Sequence, residues 1–200
     1  MTNNEVRVRM ASPIILEGDR IRLDQELLRY DENALIQRTE NLYHASQSMI
    51  EKISGSGSFC IMNDIQPHKL PTSNDSVLSI DPNSGVWQTY KRKVRYLIVD
   101  ELVFYCQADV DFVRSALLSI GFLGNFTELG FGEIAEVLIT ETDHDYSFTK
   151  NGKLMRSLPV GVSLDIDLGD DPLINTTYYQ GLENCYCSGN LVPCYIPIQL

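Results

Sequence analysis

Apolar and polar residues alternate near the start of the chain. Val6, Val8 and Met10 fall on one face and Arg7 and Arg9 on the other, which predicts a strand within Glu5 to Ile15 that buries one side. The two arginines read equally as a surface that meets a polyanion or as solvated charges. The period then changes. Leu27, Leu28, Ala34, Leu35, Leu42 and Met49 fall at helical spacing, predicting helix from Asp24 to Ile53, broken near Asp31 and capped by Asp24. Gly55-Ser56-Gly57 ends it, and the apolar run Ser58 to Met62 reads as a second strand.

From residue 63 to 85 the chain is a string of Asn, Asp, Ser and Pro without periodicity, read as a long loop or protruding hairpin. Apolar density returns from Trp87 to Cys106 as strand, with a turn or bulge at Asp100-Glu101. Asp109 then caps a helix that buries Phe112, Val113, Ala116, Leu117 and Ile120. A loop with four glycines follows (Gly121, Gly124, Gly130 and Gly132), and Phe131, Ile134, Val137 and Ile139 begin a last strand. Four glycines exceed what a corner needs, so function is placed at this loop, where backbone can approach a partner closely.

The order strand, helix, strand, protrusion, strand, helix, glycine loop, strand is that of an α+β, ferredoxin-like (RRM-like) β-α-β-β-α-β sandwich. In that arrangement helices cover one sheet face and the other stays open to a ligand. Residues 1–142 are expected to form this domain, with the insertion at about 63–92. Residues 143–200, irregular and rich in Asp, Pro and Gly, are read as an extension packed on it.

Composition narrows the setting. At 200 residues, 44% hydrophobic and 22% charged, the chain has the make-up of a globular domain. No segment has the apolar length to span a bilayer, and the first residues lack the blocks of a signal peptide, so a cytoplasmic protein with no membrane partner is expected. Five scattered cysteines do not make a disulfide framework. The net charge of −11 opposes general nucleic-acid affinity, so any such contact must be local. The densest cationic run, Lys91-Arg92-Lys93-Val94-Arg95 between Tyr90 and Tyr96, has the interleaving that suits an RNA strand. It is also what a charged edge strand looks like. Lys150, Lys153 and Arg156 form a second basic group.

Ile120 to Val137 resembles the signature of the RAMP proteins, the ferredoxin-like RNA binders of CRISPR systems. The pieces Met10-Ala11-Ser12-Pro13-Ile14, Ser84-Gly85-Val86-Trp87-Gln88-Thr89-Tyr90-Lys91, Phe104-Tyr105-Cys106-Gln107-Ala108-Asp109 and Met155-Arg156-Ser157-Leu158-Pro159 occur in this order. Together with Cys194-Tyr195-Ile196-Pro197, they resemble the Cas-five-type subunit of type IV CRISPR effector complexes. The resemblance implies a subunit that binds the 5′ handle of the guide RNA, caps the backbone filament and projects a thumb toward its neighbour. It also implies a place near the target DNA duplex, contacts with the backbone and large subunits, and no nuclease activity. Arg156 is an RNA-contact candidate through this resemblance alone. Relatives often carry Lys or Arg inside the glycine loop, whereas here the interior is Asn125, Phe126, Thr127 and Glu128. RNA would then be held by backbone N–H groups and the Asn125 and Thr127 side chains, with Phe126 stacking on a base and Glu128 facing a base donor or a neighbouring subunit.

Other constellations read as structural. His44 on the expected helix, His68 in the protrusion and His144 between Asp143 and Asp145 are taken as surface histidines, with His144 paired to Asp as the choice if RNA cleavage occurs. Cys185, Cys187 and Cys194 lack zinc-site spacing. Asp165, Asp167, Asp170 and Asp171 lack the spacing of a calcium loop, so no metal or cofactor is expected. Two other functions stay open: a guide-RNA processing endoribonuclease of the same fold, and an acidic protein-only adaptor.

Overall fold

The buried halves of three strands define the core. In the computed structural model, which describes residues 1–16, 20–39, 42–63, 90–160, 174–175, 194–195 and 197, Val6 and Val8 have no solvent exposure. They lie in β1 (Thr2–Met10), which pairs antiparallel with β6 (Glu101–Ala108) and with β7 (Ile134–Glu141), giving the order β6-β1-β7. The register sets Val6 opposite Phe104 and Ile139, and Val8 opposite Leu102 and Val137. One face is therefore apolar, and α1 (Leu23–Tyr30) and α2 (Val110–Ile120) bury Leu23, Leu27, Val113, Ala116 and Leu117 in the same core cluster. Asp109 caps α2 as expected, its carboxylate accepting from the Phe112 N–H at 2.8 Å.

The helix expected from Asp24 to Ile53 stops at Tyr30. Asp31 folds an Asx turn, accepting from the Asn33 N–H, and the chain runs on through short β2 (Arg38–Thr39) and β3 (Leu42–Tyr43). Ile36, Ala45 and Met49 then meet the outer edge of β6 through bridges to Ala108, Cys106 and Val103. Backbone bonds between Met49 and Val103 in both directions, and from Ser46 N–H to Tyr105 O, explain the change. An edge strand leaves a row of backbone groups without partners, and pairing them outweighed a helical pattern of modest strength. Nor does Asp24 cap α1. Arg22 holds the cap position, and Asp24 lies buried in the first turn.

The second expected strand is longer and lies elsewhere. β4 (Ile53–Asn63) pairs with β5 (Tyr90–Val99) as a two-stranded ladder of its own, apart from the β6-β1-β7 sheet. Its base is fastened by paired 2.8 Å backbone bonds between Ile14 and Leu97, and the chain bends at Asp100 into β6. Residues 64–89, holding most of the expected protrusion, lie outside the described residues.

The fold is mixed, with two α-helices and antiparallel strands among the described residues. The sheet face away from the helices was expected to be open, but over β6 it is covered. Met155 and Tyr146 pack with Met49 on Val103 and Tyr105, and Phe148, Leu154 and Leu158 pack on Leu42. This segment includes β8 (Thr149–Lys150), β9 (Lys153–Leu154) and β10 (Leu158–Pro159); β10 joins β11 (Ile174–Asn175) and β12 (Cys194–Tyr195) in a small sheet. No helix among the described residues is long and apolar enough to cross a membrane.

Candidate nucleic-acid interface

The β4–β5 ladder carries Lys91, Arg92, Lys93 and Arg95, all exposed, and no Asp or Glu occurs in 53–63 or 90–99. Four cations without an acid make these strands +4 in a chain of net charge −11. Alternation puts Lys91, Lys93 and Arg95 on one face, and none of the three forms an ion pair among the described residues. The opposite face carries Val94, buried opposite Phe59, and Tyr96 opposite Gly57.

That second face meets the glycine loop through aromatic rings. Phe131 stacks on Phe59 with centroids 5.2 Å apart and an interplanar angle of 8°, Phe126 meets Phe59 edge-on at 6.4 Å, and Tyr96 lies 5.8 Å from Phe131. Phe126 takes a left-handed conformation (φ 58°) that few non-glycine residues adopt. Phe59 and Phe131 were missed as site residues, although an aromatic two positions after Gly57 and another inside the glycine loop marked the contact.

The four glycines divide into two kinds. A Cβ at Gly132 would collide with the Leu123 carbonyl, and one at Gly124 would lie 2.7 Å from the Ile15 carbonyl, both at positive φ. These two are demanded by packing. Gly121, which ends α2, and Gly130 are also left-handed but have open space around them. Between them Asn125 and Glu128 are exposed and Thr127 is half-buried at the start of a 3-10 turn. The Asn125 N–H is already donated to Ile15 O at 3.0 Å.

The other cations singled out from the sequence are held elsewhere. Arg7 bridges Glu5 and Glu101 at 2.6 Å each and reaches Glu51 at 3.5 Å, while Arg9 pairs with Glu136 at 2.9 Å. Burial works to raise the Glu5 carboxyl, but hydrogen bonds from Arg7 and Tyr105 outweigh it and hold the group below its ordinary value. Lys150 sits 4.3 Å above the Tyr105 ring and 3.8 Å from Glu5. Arg156 is a correction: it is 2% exposed, donates to the Tyr43 and Ala45 carbonyls at 2.5 and 2.9 Å, and pairs with Asp24 at 3.2 Å. Asp24 also accepts from Arg22 at 2.8 Å, so the cluster ties α1 to the 143–160 segment. Burial lowers the Arg156 pKa, with Asp24 opposing. A side chain so enclosed cannot reach an RNA strand.

The histidine pairing differs from the expected one. His44, on no helix, is the one joined to aspartate: its Nδ1 lies 2.5 Å from Asp145 and its Nε2 2.7 Å from the Thr39 hydroxyl, with Phe148 edge-on at 4.7 Å. Burial would raise the Asp145 carboxyl, yet hydrogen bonds from His44 and Ser147 leave it lowered. His144 is exposed near Tyr146, while His68, Cys185, Cys187 and the aspartates from Asp165 to Asp171 lie outside the described residues. Cys194 is buried. Among the described residues no three His, Cys, Asp or Glu side chains gather as metal ligands.

No curated protein matches the chain. The family model for CRISPR type IV associated protein Csf3 matches residues 30–175, and the chain belongs to that family. It is thus a Cas-five-type component of a type IV CRISPR effector complex.

Proposed function

We propose that this subunit binds the 5′ handle of the guide RNA, caps the backbone filament and assembles an RNA-guided DNA-targeting complex without cutting nucleic acid. The observation that carries the reading is the row Lys91, Lys93 and Arg95 on β5, which forms no ion pair among the described residues of a strongly acidic chain. Cations left without carboxylates keep their charge for phosphate, while an acidic surround repels nucleic acid everywhere else. The adjoining Phe59, Phe126 and Phe131 cluster, with the open glycines Gly121 and Gly130, offers rings for bases beside an unobstructed backbone. The hairpin is the thumb that meets the adjacent backbone subunit, and the large subunit and target DNA are further contacts.

On this reading the core is ferredoxin-like. The bridged segment 45–49 takes the place of the second strand outside β6, in the order 45–49, β6, β1, β7. Residues 1–142 form the RNA-contacting domain and the chain from 143 is its extension. The half-buried His44–Asp145 link then fastens that extension beside β3 rather than serving as a cleavage base. Changing Lys91, Lys93 and Arg95 together to Glu tests the proposal. The purified complex is expected to lose its guide RNA while the subunit keeps its thermal transition, and unchanged RNA content would refute the reading. An assembly of normal composition after exhaustive nuclease treatment would favour the protein-only adaptor instead.

A further inference from the structure

The glycine loop has a second flank. Away from the aromatic cluster, Gly124 and Thr127 line a cleft of about 380 Å³ closed by Glu26, Arg29 and Tyr30 of α1 and by Phe122. The size is that of a small-ligand site, and a nucleotide fits it. Two features decide what kind. Glu26 is 90% shielded, with a side-chain exposure of 10%, yet it lies on the cleft wall. Its Oε2 accepts from Arg29 at 3.2 Å, while Oε1 has no partner among the described residues. Burial raises its pKa, with Arg29 opposing, so the carboxylate is held at a cost that a donor from a ligand would offset. The rings of Tyr30, 47% exposed, and Phe122, 36% exposed, supply flat apolar surface at the mouth.

We infer that this cleft reads one guanine of the bound RNA, with Glu26 accepting from the adjacent N1–H and N2–H₂ donors and the base held against Tyr30 or Phe122. The inference rests on the proposed RNA-binding reading and specifies which base chemistry the glycine loop presents. A carboxylate is complementary to guanine because that base places two donors side by side. Cytosine and adenine each set a ring-nitrogen acceptor beside their amino group, which repels an anionic acceptor. A single-stranded handle following the β5 cations across the loop can turn one base out into the cleft, the usual way proteins read unpaired RNA.

The experiment measures the affinity of the full-length protein for handle RNAs in which each position is guanine in turn, together with displacement by 5′-GMP and 5′-AMP. One position is expected to prefer guanine by about tenfold, a typical return for a good two-donor contact. Glu26→Gln is expected to abolish that preference without lowering the melting temperature, because it removes a buried charge. GMP, and not AMP, is expected to compete at that position in the unsubstituted protein. Equal affinity for all bases, or a guanine preference that survives Glu26→Gln, overturns the inference even if the Lys91/Lys93/Arg95 reversal still removes RNA. RNA binding that survives the reversal overturns the underlying reading instead.

Discussion

Arg7 and Arg9 on β1 and Lys93 and Arg95 on β5 look alike in the sequence, since each pair alternates with apolar residues along a strand. Their surroundings differ. β1 lies between β6 and β7, which bring Glu101 and Glu136 to the arginines, with Glu5 from the same strand. β5 pairs with a strand of Ser, Gly and apolar residues that offers no carboxylate. The same charge is spent holding a sheet face together in one place and, among the described residues, left without an ion pair in the other. Overall acidity is therefore a poor guide to where a polyanion can land; local neutralisation decides it.

Experiments that break one side should spare the other. The largest effect is expected at Arg156, the most deeply enclosed of the cations that meet a carboxylate. Arg156→Met removes one donor from each of two carbonyls and one cation from Asp24, which is expected to cost about 3–5 kcal/mol of stability. Chemical denaturation would measure it. Next comes the opposite side: the Lys91/Lys93/Arg95 reversal should weaken RNA binding about 100-fold or more and flatten its salt dependence by about three ions, at unchanged stability. Binding isotherms at several salt concentrations would show whether the slope changes.

Acid should also separate the regions. Asp24, Asp145 and Glu5 have folded pKa values below their unfolded ones, so their stabilisation is present above the usual carboxylate range of about 4 and fades as pH falls through the lower folded values. Glu26 has the opposite sign: its stabilisation is present in acid and is lost as pH rises through its raised value. A melting-temperature profile from pH 7 to pH 3 should decline with the first three, and β4–β5 supplies no carboxylate to that decline. The smallest effect belongs to Arg9→Ala. Its side chain is 57% exposed and that of Glu136 48%, so stability should change by less than about 1 kcal/mol, and guide-RNA affinity should stay the same. A large loss of RNA there would erase the contrast between the two strands.

Much of the framework was legible in the sequence because its causes are local. Alternation at Val6 and Val8 marked the central strand, Asp109 marked the start of α2, and the glycine spacing marked a loop of special geometry. The chain between Asp31 and Ile53 was not legible, since spacing that suits a helix also suits a segment whose backbone completes the edge of β6. Arg156 misled for a related reason: sequence shows that a cation is present and not how deeply it is enclosed.

The residues themselves thus determined the central strand and the start of α2, where the glycines free the backbone and how the charges are counted. Only the tertiary structure decided which cations meet carboxylates, which glycines are packing necessities and which histidine meets an aspartate. The physical reason is range. Propensity and capping act over a few neighbouring residues, whereas ion pairing, burial and edge pairing join groups as far apart as Asp24 and Arg156 or His44 and Asp145.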